Sequence, residues 1–356
     1  MKIIQVVPAF VFGGAETMCE NLINALVKQG NEVSAISMYT KKTAITERLE
    51  AKGIKIYYLD KKSGLDLSMI GKMRRIFKDE KPDVVHSHLN ALQYTVPAAM
   101  MAKIKRRIHT VHSMAFREQV GIAKKAAKFF YKRCKVTPVA LSEIVKESVV
   151  ELYKLPPEKV PFVFNGVDFS NCIVKDNYVM KSEFKILHIG RFTEVKNHQL
   201  LVSAFEKFVK ARANSKLILI GDGELRSSIE SMVKEKGISE KVEFLGIQSN
   251  VYSFLNESDM FILTSKYEGI PLTLVEAMGT GLPVISTKVG GVPDMIEDGV
   301  SGLLVDVDEN SIVKALENVY DNKDLREKIG LGALKASVDF SSDIMAKKYL
   351  SIYVNN

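Results

Sequence analysis

Short apolar runs separated by amphipathic stretches recur along the 356 residues, and the rhythm begins twice. KIIQVVPAF, NEVSAIS, KIYYLD, DVVHSH and RIHTVH read as strands in the first half, with helical periodicity between most of them. After residue 183 the rhythm restarts with FKILHIG, KLILIG, VEFLG, MFILTS, LPVIST and GLLV. Alternation of this kind predicts parallel sheets covered by helices on both faces. The expected class is therefore α/β, with two doubly wound, Rossmann-like domains facing across a deep cleft. Ligands in such folds bind beyond the carboxyl ends of the strands. The polar stretch from Asp168 to Glu183 lacks periodicity and reads as a linker, giving expected domains 1–170 and 171–340. The last segment, SDIMAKKYLSIYV, reads as a helix at about 341–356 that folds back onto the first domain.

Composition removes several function classes. MKIIQVVPAFVFGG begins like a signal peptide but lacks a convincing cleavage site and leads into a helical pattern, so it reads as a first strand. No run of 18 apolar residues is present to span a membrane. Cys19, Cys134 and Cys172 are odd in number and scattered, which suggests reduced thiols in a cytoplasmic protein rather than a disulfide framework or zinc site. The net charge of +8 is unevenly spread: residues 1–175 carry 29 Lys and Arg against 16 Asp and Glu. Eleven cations face one acid, Glu118, between Lys103 and Lys135. In IAKKAAKFFYKRCK, Lys124, Lys128 and Lys132 share one helical stripe with Ile122, Ala126, Phe129 and Phe130 nearby. That pattern fits either a helix packed on its own domain with a solvated face, or a surface that docks on an anionic inner leaflet. No aromatic-interleaved motif accompanies the charge, so no nucleic-acid partner is expected.

The candidate chemistry lies at strand ends. GGAET, residues 13–17, opens a helix after the first strand, and RFTEVKN places Arg191 and Lys196 after the strand KILHIG. Two fixed cations there suit a diphosphate, although each motif taken alone is also an ordinary turn or a solvated surface. GDGELR adds a second glycine loop at Gly221. SKYEGIPLTLVEAM is more telling. In one continuous helix Glu268 and Glu276 would stand about 12 Å apart, but Gly269 and Pro271 divide them. Pro271 suits the first helical position, which leaves the amides of Leu272 and Thr273 open to an anion. Glu268 is then a loop carboxylate for hydroxyls beyond the phosphate, and Glu276 a helix carboxylate for a ribose. Histidines pair at His86 and His88, which share a face, and at His109 and His112, which do not. Zinc lacks an accompanying cysteine or HExxH pattern. Asp306-Val307-Asp308 precedes a helix and reads as a cap rather than a metal site.

Taken in order, GGAET, HTVH, NGVD at 165–168, GRFTEVKN, GDGELR, EGIPLTLVEAM, GLPVIST and GGVPDMI resemble a retaining glycosyltransferase of family 4 with the GT-B fold. The resemblance covers essentially the whole chain. It implies transfer of a sugar from a nucleotide-diphosphate sugar, UDP by default, to a glycan or lipid-linked acceptor in cell-surface polysaccharide synthesis. No cofactor and no metal are implied. The site residues it implies are His112, Glu268, Arg191 and Lys196 for catalysis. Donor contacts would come from Gly13, Gly14, Arg191, Lys196, Gly221, Gly246, Glu268, Gly269, Ile270, Leu272, Thr273 and Glu276. The base would sit near Gly246 to Asn250. Pro271 replaces the glycine that often precedes the phosphate-binding amides, removing one donor and leaving two. The rivals are a GT-B sugar-nucleotide epimerase or hydrolase and an inactive sugar-nucleotide-binding protein. A nicotinamide dehydrogenase fits less well, because GxGxxG is missing.

Overall fold

The structure, a computed structural model, describes every residue except 12, 181, 249 and 356. It divides into two units: Met1–Asp168 with Ser341–Asn356, and Phe169–Phe340.

In the first unit, β1 (Lys2–Val7), β2 (Glu32–Ser37), β3 (Lys55–Tyr58), β4 (Val84–His88), β5 (Arg106–Val111) and β6 (Val136–Ala140) form one sheet. Its order is β3-β2-β1-β4-β5-β6 and every pairing is parallel. The alternation that predicted five of these strands missed β6, whose sequence is VTPVA. Proline cannot donate to a ladder and is tolerated mainly at sheet edges. Pro138 sits opposite His109 on such an edge strand. The helix Ser342–Val354 belongs to this unit, and its Tyr349 and Tyr353 are fully buried.

The second unit repeats the plan with β7 (Phe184–Ile189), β8 (Ser215–Ile220), β9 (Val242–Gly246), β10 (Met260–Leu263), β11 (Val284–Thr287) and β12 (Leu303–Val305). The order β12-β11-β10-β7-β8-β9 is again all parallel. Residues 172–183 form no helix or strand among the described residues, yet they are held down on this unit. The Lys175 amide donates to the Thr280 carbonyl at 2.8 Å, and the buried Tyr178 hydroxyl donates to the Gly281 carbonyl at 2.8 Å. In each sheet the strand order reverses between the first and fourth strands. The loops that leave β7 and β10 therefore flank the switch point where this architecture leaves room for a ligand.

Candidate active site

At the second switch point the two loops are tied together. The Lys266 amide donates to the Val195 carbonyl at 2.8 Å, and the Thr264 hydroxyl lies 3.3 Å from the Lys196 carbonyl. This brings Lys196 and Glu268, 72 residues apart, into an ion pair with Nζ 2.6 Å from Oε1. Ser265 Oγ donates to the same oxygen at 2.5 Å, and Thr287 Oγ1 anchors the Ser265 carbonyl at 2.7 Å. Glu268 is buried, so its charge is neutralised locally rather than by water.

Backbone glycines set the Glu268 loop. Gly290 has φ +55°, and a Cβ there would stand 1.7 Å from the Glu268 carbonyl oxygen. The Gly291 amide donates to that oxygen at 3.1 Å. Gly221 does the same for the β7 loop: its φ is +136° and a Cβ would lie 2.0 Å from the Gly190 carbonyl oxygen. Gly246 accepts the Gly221 amide at 2.8 Å, so these two positions join neighbouring strand ends. The suggested base pocket at 246–250 includes residue 249, which lies outside the described residues. Arg191 is exposed just past β7.

Helix Leu272–Gly279 begins one residue later than the sequence suggested, because Pro271 keeps an extended ψ of 113° and caps it. The Leu274 and Val275 amides close onto the Pro271 carbonyl, leaving those of Leu272 and Thr273 ahead of the helical ladder. Gly269 and Ile270 form the turn into this helix, with Ile270 buried. Glu276 is half-buried, and burial pushes its carboxyl up to about 7, against the Tyr252 hydroxyl, which favours the charged form. A carboxyl whose folded pKa exceeds its unfolded value loses stability as pH rises from about 4.5 towards 7. Glu276→Gln should therefore stabilise the ligand-free protein above pH 7, by on the order of 2–3 kcal/mol, with the difference vanishing near pH 4. Thermal unfolding across that range checks it.

Three residues implied by the resemblance lie in the first unit. Gly13 precedes helix Gly14–Lys28, and a Cβ on it would stand 2.5 Å from Glu16 Oε2. The Glu16 carboxylate thus lies against this glycine, while a Cβ on Gly14 would meet nothing within 4 Å. His112 lies just past the carboxyl end of β5 with its amide donating to Glu118 Oε2 at 2.5 Å. His86 and His88 are fully buried and bonded inward, to the Tyr353 hydroxyl and to Gln5 Oε1. Asp308 is a cap: it accepts from the Ser311 amide at 3.0 Å. Sequence reasoning missed Ser265, Tyr252 and the structural use of Gly290.

Residues 12–171 match the family described as "Glycosyltransferase Family 4", and residues 173–335 match "Glycosyl transferases group 1". The chain belongs to glycosyltransferase family 4. It is 29% identical over 307 residues to the N-acetyl-alpha-D-glucosaminyl L-malate synthase of Bacillus anthracis, covering 81% of this chain and 78% of that one. It is 27% identical over 276 residues to the UDP-Gal:alpha-D-GlcNAc-diphosphoundecaprenol alpha-1,3-galactosyltransferase of Escherichia coli, covering 72% and 71%. Among solved structures, HepE of Anabaena in complex with UDP and glucose superposes with a TM-score of 0.85 at 18% identity, over the full length of both chains. That likeness establishes GT-B as the fold of this family 4 glycosyltransferase. No helix among the described residues is long and apolar enough to cross a membrane.

Proposed function

We propose that this glycosyltransferase moves a sugar from a UDP-sugar to a lipid-linked or glycan acceptor with retention of configuration and without a metal. The observation that carries the reading is the Lys196–Glu268 pair standing at the switch point beside the helix start at Leu272. Lys196, Arg191 and the Leu272 and Thr273 amides supply positive charge where a diphosphate leaving group gathers negative charge. That is the task a divalent ion performs in other transferases. As the anomeric C–O bond breaks, the acceptor oxygen bonds the same face of the sugar. The acceptor's proton passes to the departing diphosphate oxygen, giving UDP and the glycoside. Glu268 is already bonded by Lys196 and Ser265, which suits it to hold sugar hydroxyls better than to attack carbon. His112 meets the transferred sugar. The donor and acceptor classes rest on the names of the relatives. The E. coli protein's name pairs UDP-Gal with a diphosphoundecaprenol acceptor and an alpha product, the anomer that same-face transfer from an α-linked donor yields.

Glu276 receives the ribose hydroxyls. Hydroxyl donors favour the carboxylate, so the bound group titrates below the free value of about 7. UDP affinity should rise with pH through about 7, by at most tenfold per pH unit, and level off above it. Glu276→Gln should flatten that profile in calorimetric titrations.

The basic first unit would bring the enzyme to its acceptor. Helix Gly121–Arg133 packs through Ala127 and Tyr131, while Ile122 is 87% and Phe129 58% exposed on the same side as Lys125 and Lys132. Apolar side chains among lysines suit an anionic bilayer surface. Lys78, Lys81, Lys103, Lys105 and Arg106 line a cavity of about 540 Å³ at the start of β5 and add to the positive charge of this unit. The sequence has no tryptophan, so Phe129→Trp would be a sole reporter. Its emission should shift to the blue with anionic vesicles at low salt, and no shift would count against membrane docking.

The whole reading is tested by incubating a panel of UDP-sugars in EDTA with and without undecaprenyl-diphosphate-linked GlcNAc. Acceptor-dependent UDP release is expected. An epimer or free sugar formed equally without acceptor would favour the epimerase or hydrolase instead.

A further inference from the structure

At the first sheet's switch point His112 is the outer end of a hydrogen-bonded chain of side chains whose inner members touch no substrate. His112 Nε2 is 2.9 Å from His88 Nδ1, and His88 Nε2 is 2.9 Å from Gln5 Oε1. Gln5 Nε2 donates to the Tyr353 hydroxyl at 3.4 Å, which stands 2.7 Å from His86 Nδ1. His86 Nε2 is 2.7 Å from Thr110 Oγ1, itself 2.7 Å from the Tyr349 hydroxyl. Gln5, His86, His88, Thr110, Tyr349 and Tyr353 are all 0% exposed. His112 is the half-buried member and the one that reaches the surface of the unit.

The donors and acceptors can be assigned from one end. An amide oxygen only accepts, so His88 must carry its proton on Nε2. A neutral imidazole has one N–H, so His88 Nδ1 is a lone pair. His112 must then donate from Nε2, which leaves its Nδ1 bare. On the other side the Gln5 amide nitrogen donates to Tyr353. The Tyr353 hydroxyl is thereby turned toward His86 Nδ1, and His86 Nε2–H toward Thr110. Every member has a complementary partner, as a fully buried polar network requires.

We propose that Gln5, His88 and Tyr353 are positioning residues that lock His112 in the Nε2-protonated tautomer. It then meets the transferred sugar as a hydrogen-bond acceptor through Nδ1. The proposal rests on the contact between His112 and the sugar in the function proposed above. Burial supports it by holding His112 down to about 4, although Glu118 pulls the other way. His86 and His88 are likewise held well below their ordinary value. A cation at His112 would face these two imidazoles from β4, with His109 and Glu118 as the remaining titratable neighbours. Tyr353 enters from the chain's last helix, 348 residues from Gln5, so that helix completes the lock.

The test uses the full-length protein labelled with ¹⁵N at its six histidines, where ring-nitrogen shifts report each tautomer. Expected is a single His112 signal set with Nε2 protonated and Nδ1 bare at pH 7. In Gln5→Met and in Tyr353→Phe, His112 should populate both tautomers. Turnover should drop about 5–20-fold while UDP affinity stays within twofold, since the nucleotide is held by the second unit. If Gln5→Met does not fold, Tyr353→Phe alone reads the tautomer and the turnover. A wild-type His112 protonated on Nδ1 or doubly protonated at pH 7 would overturn it. So would a Tyr353→Phe protein with unchanged tautomer and turnover. His112→Ala separates the two layers: full activity there would remove the sugar contact and with it the purpose of the lock. An impaired His112→Ala alongside unaffected Gln5→Met and Tyr353→Phe would overturn the lock alone.

Discussion

Lys196→Ala should leave a folded protein whose turnover is lower by about 10²–10³, the loss typical of removing one pre-placed charge from a developing anion. The wild-type ammonium is held 2.6 Å from Glu268, and this pairing has a further consequence. In the ligand-free protein Glu268 and an incoming diphosphate compete for the same cation. Glu268→Gln should therefore bind free UDP at least as tightly as wild type, while transfer from the UDP-sugar falls by a similar 10²–10³. The two substitutions should thus part company: Lys196→Ala weakens UDP binding and Glu268→Gln does not. Calorimetry with UDP, beside initial rates with the UDP-sugar, reads both. Near-normal rates in both variants would sink the catalytic assignment. Some stability will also be lost in Lys196→Ala, about 1–3 kcal/mol, because a buried carboxylate keeps only its serine partner. Melting curves must accompany the rates for that reason.

The largest stability effect is expected at Gly290→Ala. Left-handed backbone costs an alanine roughly 1 kcal/mol, and here the added carbon would also stand 1.7 Å from the Glu268 carbonyl oxygen. Relief requires the Glu268 loop to move, at a further cost of about 1–3 kcal/mol. The expected drop in melting temperature is roughly 4–16 °C, with turnover lost even where the protein remains folded. Gly299→Ala is the matched control. Its φ is +69°, yet a Cβ there meets nothing within 4 Å. It should show the backbone cost alone, about 1 kcal/mol, and normal turnover. Equal effects at the two positions would mean that the Gly290 loop does not hold Glu268 in place.

Much of this was legible in the chain because parallel strands buried on both faces read as compact apolar runs. β6 escaped because Pro138 makes VTPVA look unlike a strand, and only its edge position in the sheet reconciles the two. Lys196 and Glu268 could each be singled out by their place after a strand. Their contact could not, since it depends on β7 and β10 lying side by side across 72 residues. Ser265 gave a weak signal, three positions before Glu268, whereas Tyr252 gave none for its bond to Glu276. The partners of the histidines could not be read from the sequence. The last helix brings Tyr349 and Tyr353 over the β4 and β5 ends, 239 and 267 residues from their Thr110 and His86 partners. Local periodicity contains nothing about that return.

In the proposed mechanism the second unit grips a nucleoside diphosphate through Lys196 and the start of helix Leu272–Gly279, with no metal. Titration of UDP into the wild-type protein in EDTA, by calorimetry, tests it most directly. Expected is saturable one-to-one binding that is unchanged by added magnesium and weakened at least tenfold in Lys196→Ala. Binding that appears only with magnesium, or that is equally strong in Lys196→Ala, would contradict it.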